Sequence, residues 1–62
     1  MIRATMVHFR EMNYCARGGR AFFARYGWSW PDFLVNGIDC AILEASGDAL
    51  AIGLAEYARS HQ

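Results

Sequence analysis

Phe22-Phe23-Ala24-Arg25-Tyr26-Gly27-Trp28-Ser29-Trp30-Pro31-Asp32-Phe33 holds six of the nine aromatic residues of a 62-residue chain. Rings at this density mark where a core must form. They equally mark where a partner would bind, because large amphipathic rings carry most burial and most interface energy. The same stretch contains the clearest local signal in the chain. Ser29 is a preferred helix N-cap, Pro31 suits the first turn, and Asp32 stands at the third helical position, where a carboxylate favours the positive end of the helix. A short helix therefore starts at Trp30 and stops at Asn36-Gly37, a strong left-handed stop.

Upstream, the first five residues read as loose. Thr5 caps a short helix over Met6–Met12, and Asn13 is a break or a new N-cap. A second helix runs Tyr14–Tyr26 and ends at Gly27. Gly18 and Gly19 lie inside it, each costing up to ~1 kcal/mol against alanine. The pair means either a close helix crossing or a helix that begins near Gly19. Downstream, Asp39 caps a turn or two through Cys40–Ala45, ended by Ser46-Gly47. Asp48 caps a last helix over Ala49–Ser60. Leu50, Leu54 and Tyr57, at i, i+4 and i+7, form its apolar stripe, widened by Ala51, Ala55 and Ala58. No alternating strand pattern and no repeat is present; Val7–Phe9 alone has the character of an extended piece. The expected fold is an all-α, compact bundle of four to five short helices in one domain spanning 1–62.

Such a chain buries only about 60% of its unfolded surface. Here 55% of residues are apolar and 19% charged, more apolar surface than a monomer readily hides. Self-association or docking onto a larger body is therefore favoured. The net charge is zero but polarised. Met1–Arg25 carries Arg3, Arg10, Arg17, Arg20 and Arg25 against Glu11, and Tyr26–Gln62 carries Asp32, Asp39, Glu44, Asp48 and Glu56 against Arg59. Either the two halves satisfy each other internally, or the molecule is a dipolar body that stacks on surfaces of opposite sign. There is no lysine; arginine's planar fork suits pairing with carboxylates and stacking on rings, and a high-GC genome would give the same bias.

Catalytic and metal chemistry find little footing. Cys15 with His8 and Glu11 or Asp39 has no spacing that positions a nucleophile beside a base, and so small a chain leaves no room for a substrate cleft. An enzyme is not expected. His8, Cys15, Cys40 and His61 are spaced by 7, 25 and 21 residues, without the close pairs of a zinc finger. Gly18-Gly19 between Arg17 and Arg20 lacks the preceding strand of a phosphate-binding loop. No cofactor or metal is expected. No apolar run approaches the length of a membrane helix, and the cysteines read as reduced thiols in a cytosolic chain. Met6 is an alternative start.

Arg3, Arg10 and Arg17 recur every seven residues, with Arg20 one turn on, and would line a basic ridge for nucleic acid. The acidic second half argues against strong phosphate affinity. Trp30–Asn36 and Asp39–Ala45 resemble a helix-turn-helix only loosely, and Cys40-Ala-Ile-Leu-Glu-Ala offers almost nothing to a base edge. Trp28 and Trp30 flank Ser29, so either both cover the small core, or one faces inward and the other outward as an interface anchor.

The run Cys15-Ala-Arg-Gly-Gly-Arg-Ala-Phe-Phe-Ala-Arg-Tyr-Gly-Trp-Ser-Trp-Pro-Asp-Phe-Leu-Val-Asn-Gly-Ile-Asp39, followed by Ala45-Ser-Gly-Asp-Ala-Leu, resembles a group of small proteins encoded by tailed bacteriophages and prophages, over roughly Val7 to Ala58. The resemblance implies a phage context, in the bacterial cytoplasm or in the virion, and a binding role: an assembly factor, a small virion part, or an adaptor or inhibitor of one protein. It carries over no catalytic residue. The expectation is a protein–protein interaction module whose partner, a phage or host protein or a second copy, meets Arg17, Arg20, Phe23, Arg25, Trp28 and Trp30. The alternative is a small nucleic-acid-binding transcriptional regulator using the arginine ridge.

Overall fold

A computed structural model of the chain describes residues 2–61. Among them the chain forms five helices, α1 (Met6–Glu11), α2 (Ala16–Arg25), α3 (Trp30–Asn36), α4 (Cys40–Ala45) and α5 (Ala49–Ser60). Two short strands, β1 (Arg3–Ala4) and β2 (Ile38–Asp39), join them.

The helices begin where side chains can take up their first free N–H groups. The Asp32 N–H donates to Ser29 Oγ at 3.2 Å, the Ala41 N–H to Asp39 Oδ1 at 2.9 Å, and the Leu50 and Ala51 N–H groups to Asp48 Oδ1 at 2.8 and 3.4 Å. At α1 the Thr5 N–H donates to His8 Nδ1 at 3.0 Å. That nitrogen is therefore an acceptor, and the proton of the neutral ring sits on Nε2, which donates to the His61 carbonyl at 3.2 Å. One ring so starts the first helix and ties it to the end of the last.

The second helix begins two residues later than Tyr14. Asn13 adopts φ 62°, a left-handed geometry that asparagine tolerates better than most residues. Cys15 then becomes the N-cap, its Sγ accepting from the Gly18 N–H at 3.3 Å. Both glycines are helical, so the close-crossing reading is the one realised. A Cβ on Gly19 would lie 2.5 Å from Phe9 Cζ and 2.8 Å from Trp30 Cη2. Only a bare backbone lets those two rings sit on α2.

The all-α expectation needs one correction. β1 and β2 pair antiparallel, Arg3 opposite Asp39 and Ala4 opposite Ile38, and the Cys40 N–H donates to the Ile2 carbonyl at 3.0 Å. Residues 2–5, expected to be loose, are thereby tied into the fold, and Ala4 is fully buried. Met1 lies outside the described residues. Gly37 makes the pairing possible. Its φ of 75° and ψ of −173° redirect the chain from α3 into extended backbone, and Ala4 O lies where a side chain would start. Val7–Phe9, the segment with extended character, is helical.

Phe9, Phe23, Phe33, Leu43 and Leu54 fill the centre, with Ala51, Ala55 and Ala58 forming the floor contributed by α5. The stripe of α5 is rotated from the expected one. Ala51, Leu54, Ala55 and Ala58 face inward while Leu50 remains 52% exposed. The alanines let α5 lie close against α4 and β1, an approach that a stripe led by Leu50 would hold apart.

Candidate protein-interaction surface

The six expected partner-binding residues divide sharply. Phe23 is 0% exposed and cannot serve a surface. Its ring centroid lies 4.8 Å from that of Phe33, 5.2 Å from Trp30 and 5.5 Å from Trp28, making it the hub of the aromatic core. Both tryptophans are half-buried and packed against the core, the first of the two expected arrangements, with neither ring turned fully outward. Trp28 stacks on Tyr26 at 4.9 Å with its edge on Phe22. Trp30 leans on Phe9 and Phe33. Burial drove this outcome: in so small a domain the rings supply most of the apolar area, about 1.5–3 kcal/mol for each large side chain fully removed from water. Arg17, Arg20 and Arg25 are exposed on α2.

The seven-residue arginine ridge is not formed along one element, since Arg3 lies in β1, Arg10 in α1 and Arg17 in α2. The residues that do share a face with Arg17 were missed as a set. At 100° per residue, Ala16, Arg17, Arg20, Ala21, Ala24 and Arg25 form the outer side of α2, all exposed, opposite buried Gly19 and Phe23. The face is built from alanine and arginine alone. Its helical period is present in the sequence, but the seven-residue spacing of Arg3, Arg10 and Arg17 is the more regular signal.

The charges are spent unequally. Asp39 caps α4, and Asp48 caps α5 while accepting from the Tyr26 hydroxyl at 2.7 Å. Asp32 accepts from the Asn36 amide at 2.8 Å and Glu11 from the Tyr57 hydroxyl at 3.0 Å. Glu44 is held by both arms of Arg59, at 2.9 and 2.8 Å. Among the described residues only Glu56 keeps a carboxylate without such a bond. By contrast, the guanidinium groups of Arg10, Arg17 and Arg20 make no hydrogen bond or ion pair among the described residues. Arg25 faces the Tyr26 hydroxyl and the Asp48 carboxylate. Apart from Arg25 beside Asp48, the two halves of the chain thus do not neutralise each other, because the acids are consumed by helix caps and local partners.

These bonds set a pH dependence. The Tyr26 hydroxyl, and then the Leu50 and Ala51 N–H groups, hold the Asp48 carboxyl below the usual carboxylate range. The Arg59 fork does the same for Glu44. A carboxylate held low stabilises the fold above its ordinary value, and that stabilisation is lost as pH falls through the lowered one. Urea midpoints are therefore expected to hold steady near neutrality and to fall on acidification below about pH 4. Asp48→Asn should flatten part of the slope. A midpoint that rises towards acid would contradict the assignment. At the alkaline end the same bond holds the Tyr26 phenol above its ordinary value, so its contribution persists until that raised value is passed.

A small apolar cleft of about 170 Å³ opens beside α2, lined by Phe9, Tyr14, Cys15, Gly18, Gly19, Phe22 and Leu50. Cys15 borders it as the cap of α2. Cys40 is buried, its thiol pushed up by burial and directed at the Ala55 carbonyl at 3.7 Å. Among the described residues His8, Cys15, Cys40 and His61 do not gather into a metal-ligand set. No helix among them is long and apolar enough to cross a membrane. No protein-family model matches the chain, and neither does any curated protein or solved structure.

Proposed function

We propose that this chain is a small protein–protein interaction module of phage or prophage origin, working in the bacterial cytoplasm or in the virion as an assembly part, an adaptor or an inhibitor. It meets its protein partner through the outer face of α2. The reading rests on one observation: α2 displays Arg17 and Arg20 with no counter-charge among the described residues, on a chain whose acids are almost all engaged. Charged groups left open on one face steer encounter and set specificity more than they stabilise the fold. Tryptophan, expected to anchor the partner, is replaced in this role by arginine, another residue enriched at interface hot spots.

A photo-crosslinking residue at Ala21, compared with one at Ala41 on α4, tests the reading in phage-infected cells. A discrete crosslinked protein band at Ala21 and none at Ala41 is the expected result. Equal crosslinking at both positions, or at Ala41 alone, would remove α2 from the proposal. A nucleic-acid-binding regulator is the second reading, favoured by the same open guanidinium groups. It requires retention on heparin that weakens steeply with salt.

A further inference from the structure

We infer that the outer face of α2 binds an acidic α-helix of the partner, its carboxylates pairing with Arg17 and Arg20 over a floor of alanine side chains. The inference rests on the reading of the chain as a protein-interaction module and supplies the chemistry of its partner.

The face has the shape for a helix. Ala21 and Ala24 follow Arg17 at i+4 and i+7, so beyond Arg17 the midline of the face carries nothing longer than a methyl group. Small side chains let a second helix approach to the lower end of the usual 8–10 Å interaxial range. Arg20 flanks the strip one turn from Arg17, about 4.5 Å further along the axis. Carboxylates three or four residues apart on a partner helix have the matching rise. Each planar guanidinium can take one in two parallel hydrogen bonds.

A second copy of this chain does not supply that partner. None of its helices carries two acids: Glu11, Asp32, Glu44 and Glu56 stand one to an element, with Asp39 and Asp48 at caps. Nucleic acid fits less well too. The two open guanidinium groups of this face, on a chain of zero net charge, meet about two phosphates, and Arg10 on α1 would add one more, against the 6–10 contacts that give strong phosphate-driven binding. The face offers arginine, which can read guanine, but no amide or hydroxyl side chain to read the other bases.

The test uses a fluorescein-labelled helical peptide about five turns long, with glutamates at every third or fourth position over alanine, and its glutamine twin. Both are titrated into the intact protein with anisotropy and amide-resonance detection. The glutamate peptide is expected to bind and to shift resonances of residues 16–25, with the twin and the R17Q/R20Q double variant each weaker by roughly tenfold, as one to two exposed charge pairs allow. Circular dichroism of the double variant should be unchanged, because both side chains are solvent-exposed and make no bond among the described residues. Equal binding of the two peptides, or of neither, would overturn the inference. So would a duplex DNA that displaces the glutamate peptide, or concentration-dependent dimerisation abolished by R17Q/R20Q. If Ala21 crosslinks a protein while the glutamate peptide fails, the acidic helix falls and the interaction module stands. If neither Ala21 nor Ala41 captures a protein, the module reading falls on its own evidence.

Discussion

Phe23→Ala is expected to leave a chain largely unfolded at 37 °C. Truncating a fully buried phenylalanine costs about 3–5 kcal/mol, the loss of transfer energy plus the cavity left behind. The rings of Phe33, Trp30 and Trp28 would each lose an edge or face partner in the same step, and aromatic pairs add about 0.5–1.5 kcal/mol beyond area. Against this, at roughly 0.05–0.15 kcal/mol per residue the whole fold holds only about 3–9 kcal/mol. The neighbouring Phe22→Ala removes a half-buried ring and should leave a cooperative transition at a lower midpoint. Urea unfolding followed by tryptophan fluorescence separates the two. Near-native stability of Phe23→Ala would place that ring on the surface after all and undo the aromatic hub.

Gly37→Ala should be the most damaging of the glycine substitutions at turns. With φ 75° and ψ −173° this residue occupies a region open essentially to glycine alone, at a strain cost of about 1–3 kcal/mol for any other residue. The added Cβ would also stand 2.6 Å from the Ala4 carbonyl oxygen, a backbone atom that moves only if β1 leaves β2. We expect a total loss of about 3 kcal/mol, which for a domain of this size lowers the melting temperature by about 12 °C or more. Gly27 and Gly47 have φ of 72° and 73° but open space around the missing Cβ, so alanine there should cost only about 1 kcal/mol. Equal melting temperatures for the three variants would show that the Gly37–Ala4 approach carries no weight.

What could be read from the residues follows from how local the physics is. Ser29, Asp39 and Asp48 were legible as caps because a cap needs only a side-chain oxygen and the next three N–H groups. Gly27, Gly37 and Gly47 were legible as stops, and all three take positive φ. The pairing of β1 with β2 was not legible. Two-residue strands have no period to detect, and their partners lie over thirty positions apart in the chain. The start of α2 was missed because cysteine is a rare cap. Nor could sequence decide between Phe22 and Phe23, which point about 100° apart on the helix; packing made the second the hub. The candidate surface was half legible. The arginines of α2 were legible, but the tryptophans beside them lie along the core, and the alanines that complete the face carry no chemical signal of their own. The polarity of the two halves left mutual neutralisation and a dipolar body both open, and only the fold shows caps and local partners absorbing most of the acids.

Cys40, buried beneath α5 with its thiol turned toward Ala55, has a practical consequence. A bulky alkylating reagent meets Cys15 at once, since that thiol is exposed, but reaches Cys40 only when α4 and α5 part. The ratio of the two modification rates in one unmutated sample therefore times the breathing of the core. Adding a ligand that grips α2 would slow the second rate only if its grip is transmitted to the far helices.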